Sequence, residues 1–274
     1  MSRVTGAAVV GGVAGQPVAH SLSPVIHNAW LAAAGMDAAY VPFAPADAAG
    51  FEALIAAGRA GLAAGFNVTA PFKEQAFAAA DTVSDTARAT GSANILTFAD
   101  GRVRADSSDG AGILYALSQQ APGLSLQDAI VVLLGAGGAA RAGAGALVAA
   151  GAQVRILNRS RDRAEALAAD LGPSVRAVEA QGAFEGAALL INALSVSPDI
   201  DLARLDAGTV VMDMTYRPVV TPFLAAARAR GLTTADGLDM LIGQAGPSFE
   251  AIFGRAPPPL DLRALLLAHL GEAA

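Results

Sequence analysis

Residues 130–140 read IVVLLGAGGAA, five apolar residues followed by a turn of glycine and alanine. The unbroken apolar run predicts a strand that is buried on both faces, as in a parallel sheet. An Ala-rich stretch continues to Ala150 and Gly151 and predicts a helix. A strand, a glycine turn and a helix in this order are typical of a Rossmann-like domain that binds a dinucleotide.

The turn has the form G-x-G-x-x-A. In this form Gly135 makes the sharp turn, Gly137 lets the backbone approach a pyrophosphate, and Ala140 allows the helix to pack closely on the strand. The N–H groups at the helix start then face the negative charge. The residues predicted to bind the cofactor here are Gly135, Ala136, Gly137, Gly138 and Ala139. The alternative is a structural turn, because this chain is rich in Gly and Ala.

The next predicted strand, Gln153–Leu157, should end at the adenosine ribose of the cofactor. A site specific for NAD has an Asp or Glu there, which accepts a hydrogen bond from the 2′-hydroxyl. This chain instead reads NRSRDR over residues 158–163. Guanidinium groups bind phosphate with forked hydrogen bonds, whereas a carboxylate would repel it. We therefore predict NADP as cofactor, with Arg159 and Arg163 holding the 2′-phosphate; the alternative is a solvated helix start.

The rest of the chain alternates short apolar runs with Ala-rich helical stretches, which predicts an α/β fold. A chain of 274 residues is expected to form two domains. The predicted strands are Ala7–Val13, Ala39–Phe43, Gly65–Thr69, Ile130–Leu134, Gln153–Leu157, Val175–Val178, Ala188–Asn192 and Thr209–Met214. The predicted helices include Pro24–Ala34, closed by Gly35, and Pro222–Arg230, closed by Gly231.

Composition excludes several classes of protein. The net charge is 18 − 24 = −6 with no basic run, which argues against nucleic acid and anionic membrane surfaces as partners. Three scattered histidines and no cysteine offer neither a disulfide nor a metal site. No run of about 18 apolar residues is free of charge and glycine, and no convincing signal-peptide cleavage site follows the N-terminus. We expect a cytoplasmic protein that is a monomer or a homodimer.

Lys73 is the only lysine in the chain, against seventeen arginines. Arg keeps its proton in a protein, whereas Lys can release it in a desolvated site. In the strand that precedes it, period-two alternation points Asn67 and Thr69 to one side and Phe66 and Val68 to the other. Polar side chains therefore share a strand end with the single lysine.

Pro71 is predicted to open a helix, which places Lys73 in the first turn. The positive end of the helix dipole disfavours an ammonium there, so the position favours a proton donor over a structural cation. An ordinary solvated side chain is the alternative. Asp109 stands before a helix predicted to begin near Ala111, and by itself it would be read as an N-cap or turn residue.

Ser21 and Ser23 precede a helix that is predicted to begin near Pro24. Ser23 then falls at the N-cap, and two hydroxyls beside the exposed N–H groups make a site for a carboxylate or phosphate. The alternative is that Ser23 only caps the helix and Ser21 shapes the turn. His20 and His27 are predicted to pack or to support the site rather than to catalyse.

Taken together, these segments resemble shikimate dehydrogenase, an NADP-dependent enzyme that reduces 3-dehydroshikimate to shikimate. The resemblance covers nearly the whole chain in order. The matching segments are HSLSPVIHN (20–28), NVTAPFK (67–73), GAGGAAR (135–141), NRS (158–160), DMTYRP (213–218) with TPFL (221–224), and GLDML (237–241) followed by Gln244.

The resemblance implies a role for each matched residue. Ser21 and Ser23 would hold the substrate carboxylate, and Lys73 and Asp109 would form the proton-transfer pair at the C3 oxygen. The residues implied to bind the ring hydroxyls are Asn67, Thr69, Asn94, Asp109 and Gln244, and Tyr216 would line the pocket. The cofactor segment would include Asn158, Arg159 and Ser160. Residues 1–109 with 239–274 would form the substrate-binding domain and residues 110–238 the Rossmann-like domain, with an active-site cleft between them that closes over the substrate.

Three positions depart from the family pattern. Ser107-Ser108 stands where the pattern has Asn-Thr, Ile95 follows Asn94 where it has Thr, and residues 194–197 read LSVS where it has Thr-Ser-x-Gly. A paralogue that acts on quinate, an aminoshikimate or another cyclic hydroxy acid is therefore the alternative. A sensor that binds nucleotide and a small acid without catalysis is a second alternative, against which Lys73 and Asp109 argue.

Overall fold

The computed structural model describes residues 4–272. The chain divides into two compact units: the first extends to Ser108 and resumes at Gln244, and the second is Asp109–Gly243. Each unit contains one six-stranded sheet with helices, which confirms the predicted α/β fold class. The sequence analysis assigns residues 1–109 and 239–274 to substrate binding and residues 110–238 to cofactor binding. This assignment stays a prediction.

The sheet of the first unit has the strand order β2-β1-β3-β5-β6-β4. Its strands are β1 (Val9–Ala14), β2 (Ala38–Phe43), β3 (Gly65–Val68), β4 (Thr82–Val83), β5 (Ile95–Ala99) and β6 (Arg102–Asp106). Strands β2, β1 and β3 are parallel, whereas β5 runs antiparallel to both β3 and β6. The helices of this unit are α1 (Ser23–Ala33), α2 (Ala48–Arg59), α3 (Lys73–Ala78), α4 (Asp85–Thr90) and α10 (Leu262–Leu270).

Aromatic side chains hold the first unit together. Phe66 on β3 packs edge-on against Phe43 and Phe98, at centroid distances of 5.1 and 5.2 Å. Phe51 on α2 stacks on Phe72, with the ring centroids 4.7 Å apart. These contacts fix the apolar side of β3, so the side chain of Asn67 is left to the other side of the strand, as the alternation predicts.

The second unit has a fully parallel sheet with the order β12-β11-β10-β7-β8-β9. Its strands are β7 (Ile130–Leu134), β8 (Gln153–Leu157), β9 (Val175–Ala177), β10 (Ala187–Asn192), β11 (Val210–Asp213) and β12 (Thr234–Ala235). Its helices are α5 (Asp109–Gln120), α6 (Gly138–Ala149), α7 (Arg161–Leu171) and α8 (Pro222–Ala229), with a 3₁₀ turn at Leu202–Arg204. Read from β7 outward, this is the doubly wound order of a Rossmann-like fold.

One long helix, α9 (Gly237–Phe253), contains the second boundary between the units. In the second unit two hydrophobic clusters cover opposite faces of the sheet, because Val131 and Leu133 belong to one cluster and Val132 and Leu134 to the other. This explains why the sequence of β7 is apolar without alternation.

Strands β7 and β8 have the bounds that the sequence predicts, but β5 and β6 lie outside the predicted strands. The link between β5 and β6 is Asp100-Gly101, and both residues have positive φ, 51° and 74°. An Asp-Gly pair is a strong signal for a two-residue hairpin turn, so this hairpin was open to prediction from sequence.

Candidate active site

Asn67 lies in a buried polar cluster of the first unit. Its side-chain nitrogen donates to the carbonyl oxygen of Asn94 at 3.1 Å and to Oγ of Ser248 at 2.8 Å. Its side-chain oxygen accepts a hydrogen bond of 2.8 Å from the hydroxyl of Tyr40. Because both amide hydrogens are used, Oδ1 is the atom of Asn67 that keeps capacity for a ligand.

Asn94 extends this cluster toward Ser108 and Gln244. Its Oδ1 accepts from the backbone N–H of Ser108 at 2.8 Å, and its Nδ2 lies 3.1 Å from Oγ of Ser108 and 3.4 Å from Oε1 of Gln244. The hydroxyl of Ser108 donates to the carbonyl oxygen of Gln244 at 2.9 Å. The structure therefore gathers three predicted site residues, Asn67, Asn94 and Gln244, that are far apart in the sequence. Ser108 keeps the hydroxyl that this cluster uses.

Ser21 and Ser23 lie at the start of α1, but the predicted N-cap is wrong by one residue. Leu22 occupies the N-cap without a side-chain hydrogen bond, and Ser23 is the first helical residue. The backbone N–H of Ser23 donates to Oγ of Ser21 at 3.3 Å. Ser23 is therefore not the cap of α1.

Thr69 and Lys73 follow the end of β3. The backbone of Thr69 donates to Ala14 at 2.9 Å, and a Cβ on Gly15 would lie 2.2 Å from the methyl carbon of Thr69, so this position requires glycine. The helix does not open at Pro71, which follows a cis peptide bond, but at Lys73. Lys73 is half-buried in the first turn of α3, as the sequence predicts.

Asp109 and Tyr216 belong to the second unit. Asp109 is the first residue of α5 and is buried, rather than standing before a helix that begins near Ala111. Tyr216 is half-buried and follows β11 by three residues. Their predicted roles toward the substrate stay predictions.

The glycine turn after β7 has the geometry that a dinucleotide site needs. Gly135 has φ of +114°, a region that side chains rarely adopt, and its N–H donates to Leu157 at 3.0 Å. Gly137 is exposed, and nothing lies within 4 Å of the position that a Cβ would take there. Helix α6 begins at Gly138, and no side chain forms a hydrogen bond at its N-cap. The backbone N–H groups at this helix start are therefore accessible to an anion.

The arginines after β8 differ in their partners. Arg161 donates to Glu165 at 2.7 Å and to Glu179 at 2.6 Å. Arg159 and Arg163 are exposed, and within residues 4–272 neither forms an ion pair or a side-chain hydrogen bond. The two arginines predicted to clamp a phosphate are therefore the two without a protein carboxylate.

Polar side chains form hydrogen bonds that order the segments after β8 and after β10. The side chain of Asn158 donates to the carbonyl oxygen of Ser160 at 2.8 Å. Asn192, at the end of β10, donates to Asp213 at 3.1 Å and accepts from the backbone N–H of Leu194 at 3.1 Å. Asn192 therefore fixes the backbone at the start of residues 194–197, and Asp213 orients Asn192. The sequence analysis did not predict this role for either residue.

Sequence reasoning also missed Tyr40 and Ser248, which both contact Asn67. A tyrosine in a predicted buried strand generally needs a partner for its hydroxyl, which was a weak signal for Tyr40. Ser248 lies four residues after Gln244 on the same helix, so it shares the face of Gln244.

His27 is buried among aromatic rings, as its predicted packing role requires. It stacks on Tyr40 at 4.0 Å, and neither ring nitrogen has a hydrogen-bond partner among the described residues. Burial lowers the pKa of His27 from 6.5 to about 3, so the imidazole is neutral at physiological pH. In residues 4–272 no group of three His, Cys, Asp or Glu side chains could hold a metal ion.

Across the same residues, no helix combines the length and the apolar character that crossing a bilayer requires.

Two family models match the chain. Residues 13–96 match the shikimate dehydrogenase substrate binding domain. Residues 130–215 match the family described as NADP oxidoreductase, coenzyme F420-dependent. The first match contains the Ser21, Asn67 and Lys73 segments, and the second contains the glycine turn.

Full-length relatives agree with the first model. The shikimate dehydrogenase (NADP(+)) of Caulobacter vibrioides is 52% identical over 99% of this chain and 99% of its own length. The shikimate dehydrogenase (NADP(+)) of Maricaulis maris is 47% identical over 97% of this chain and 98% of its own. Among solved structures, shikimate 5-dehydrogenase from Thermus thermophilus in complex with NADP(H) and shikimate superposes with a TM-score of 0.83. That structure is 36% identical and covers 92% of this chain and 95% of its own.

Proposed function

The chain belongs to the shikimate dehydrogenase family, and on this premise we propose that it catalyses the reversible, NADP-dependent reduction of 3-dehydroshikimate to shikimate. The enzyme is an oxidoreductase of chorismate and aromatic amino-acid biosynthesis. The full-length identity to shikimate dehydrogenases and the fit of the glycine turn to a dinucleotide support this proposal.

The substrate carboxylate binds at Ser21 and Ser23. Oγ of Ser21 accepts from the backbone N–H of Ser23, the first residue of α1, where the helix dipole favours an anion. Because Ser23 is not used as a cap, its hydroxyl is available to the ligand.

The ring hydroxyls bind the polar cluster of the first unit. Oδ1 of Asn67 accepts from one hydroxyl, and Asn94, Thr69 and Gln244 complete the set. The hydrogen bonds among Asn67, Asn94 and Gln244 fix their orientation before the substrate arrives, which lowers the ordering cost of binding.

Lys73 and Asp109 act on the oxygen at C3. In the reduction, the ammonium of Lys73 gives a proton to the developing alkoxide, and in the oxidation Lys73 takes it back. Asp109 is the second member of this proton-transfer pair. Tyr216 is assigned to contact the substrate.

The second unit holds NADP. When bound, the nicotinamide supplies or takes the hydride at C3. The turn at Gly135 to Ala139 and the start of α6 bind the pyrophosphate, while Arg159 and Arg163 bind the 2′-phosphate with Asn158 and Ser160 beside them.

The observation that carries the proposal is the buried cluster of Asn67, Asn94 and Gln244, because a buried polar set of this kind matches a ligand with several hydroxyls. The test is the absorbance at the NADPH band on mixing the protein with shikimate and NADP. Quinate and NAD are tested in parallel. Rapid NADPH formation from shikimate is the expected result, and turnover of quinate alone would instead support the paralogue that the changes at Ile95, Ser107 and Leu194 leave open.

If the protein binds the nucleotide but oxidises none of the cyclic hydroxy acids, the result would contradict catalysis and support a sensor. The cytoplasmic location, and a monomeric or homodimeric state, stay predictions. Fractionation and sedimentation of the native protein would test them.

A further inference from the structure

Tyr40 occupies the middle of β2 and is almost completely buried, at 1% exposure. Its backbone is held by one side chain: Asn28 accepts from the N–H of Tyr40 at 3.0 Å and donates to its carbonyl oxygen at 2.8 Å. Its ring stacks on His27 with an interplanar angle of 6°. Both the backbone and the ring of Tyr40 are therefore fixed before any ligand binds.

The hydroxyl of Tyr40 contacts a residue that is assigned to the substrate. It donates to Oδ1 of Asn67 at 2.8 Å. Asn67 is assigned to a ring hydroxyl of the substrate. Tyr40 thus holds the atom of Asn67 that the ligand is proposed to meet.

The direction of this hydrogen bond follows from the partners of Asn67. Its Nδ2 must face the carbonyl oxygen of Asn94, which only accepts, so its Oδ1 faces Tyr40. The single proton of the tyrosine is then committed to Asn67. Desolvation holds the pKa of Tyr40 well above its ordinary value, so the hydroxyl stays protonated.

We propose that Tyr40 is a positioning residue that holds Oδ1 of Asn67 in place, and thereby sets the affinity for the hydroxy acid. This inference rests on the proposed function. Tyr40 acts through Asn67 and not on the reacting atoms, so it affects substrate binding more than the chemical step.

The test is steady-state kinetics of Tyr40→Phe, which removes the hydroxyl and keeps the ring on His27. We expect the KM for shikimate to rise about tenfold, since the buried hydrogen bond that holds Asn67 is lost. We expect kcat and the KM for NADP to stay within about twofold of the wild type, because the nicotinamide and the proton donor are not contacted by this hydroxyl. Tyr115→Phe is the matched control, because Tyr115 is an exposed tyrosine on α5, and it should change none of the three constants.

A double-mutant cycle separates positioning from a general structural role. Because Tyr40 is proposed to act through Asn67, Tyr40→Phe should raise the KM for shikimate less in an Asn67→Ala background than in the wild type. Equal effects in both backgrounds would overturn the coupling to Asn67. An unchanged KM, or a parallel loss of NADP affinity and melting temperature, would overturn the proposal as a whole. Wild-type protein that is inactive with shikimate would contradict the proposed function, whereas an active wild type with an unaffected Tyr40→Phe would contradict this inference alone.

Discussion

At the scale of single residues, the three arginines that follow β8 differ in their partners. Arg161 is bonded to two glutamates, whereas Arg159 and Arg163 have no carboxylate partner in the described chain. Lys73 is the one lysine of the sequence, and it begins a helix, where a positive charge is disfavoured. A residue that lowers the stability of the fold at its position is a good candidate for a functional role.

Replacement of Lys73 tests its role as the proton donor. Lys73→Ala should lower kcat by about 10²- to 10⁴-fold, the usual contribution of general acid–base catalysis, with a smaller effect on the KM for shikimate. Lys73→Arg keeps the charge but not the exchangeable proton, so it should not restore kcat. A decrease of less than about tenfold in Lys73→Ala would contradict the assignment.

The phosphate clamp predicts a change of cofactor preference. Arg159→Ala and Arg163→Ala should each raise the KM for NADP by roughly tenfold, because a charge-assisted hydrogen bond to phosphate is lost. The KM for NAD should change little, since NAD has no 2′-phosphate. Arg161→Ala is the control: its guanidinium is occupied by Glu165 and Glu179, so it should leave the preference for NADP intact. Equal effects of all three variants would contradict the clamp.

At the scale of elements, the packing of α1 on β2 also positions residues of the proposed substrate site. His27 of α1 stacks on Tyr40 of β2 and also contacts Trp30 and Phe249 at centroid distances of 5.7 and 5.9 Å. The same helix presents Ser23 at its start. A ring stack therefore fixes the position of the helix end that the substrate carboxylate is proposed to meet.

This contact makes the stability of the fold depend on pH. The pKa of His27 is about 3 in the folded chain and about 6.5 when unfolded. Between these values the unfolded state binds the extra proton, so stability is full above pH 6.5 and falls as the pH decreases. The expected slope is about 1.4 kcal/mol per pH unit. Urea denaturation at about pH 7 and about pH 5 measures it, and His27→Phe, which keeps an aromatic ring, should have a smaller slope; an equal slope would exclude His27 as the cause.

At the scale of the whole molecule, the chain forms two compact units with different sheets. The first mixes parallel and antiparallel strands, and the second is fully parallel with a glycine turn at the carboxyl end of its first strand. In an open parallel sheet, ligands bind outside the carboxyl ends of the strands where the strand order reverses. In this sheet that point is β7, beside β10 and β8.

Hydrogen exchange tests the assignment of ligands to units. NADP should slow the exchange of amides in the turn after β7 and at residues 158–163, because these groups would contact the pyrophosphate and the 2′-phosphate. Shikimate should slow exchange at the start of α1 and after β3. Protection by NADP confined to the first unit would contradict the assignment. Arg159→Ala serves as a control, since protection at residues 158–163 should weaken in it at a fixed NADP concentration.

The bounds of β7 and β8 and the start of α1 show which features of the fold the local sequence can predict. The bounds of β7 and β8 were predictable because a buried parallel strand is apolar throughout, and the turn residues are set by local backbone geometry. Helix α1 begins one residue before the predicted start, because Leu22 takes the N-cap without a side-chain hydrogen bond and Ser23 is already helical. A pattern of capping side chains cannot locate a helix start at which no side chain caps.

The sequence by itself determined the α/β class, the dinucleotide turn, the arginines in place of an acidic residue, and the solitary Lys73. Each of these follows from residues within one element, where periodicity and backbone geometry act. Only the tertiary structure decided that Asn67, Asn94, Ser108 and Gln244 form one buried cluster and that Tyr40 and Ser248 belong to it. It also decided that Arg161 binds two glutamates, whereas Arg159 has no carboxylate partner among residues 4–272. These facts depend on hydrogen bonds between residues up to 181 positions apart, and no local pattern specifies which buried polar groups will satisfy one another.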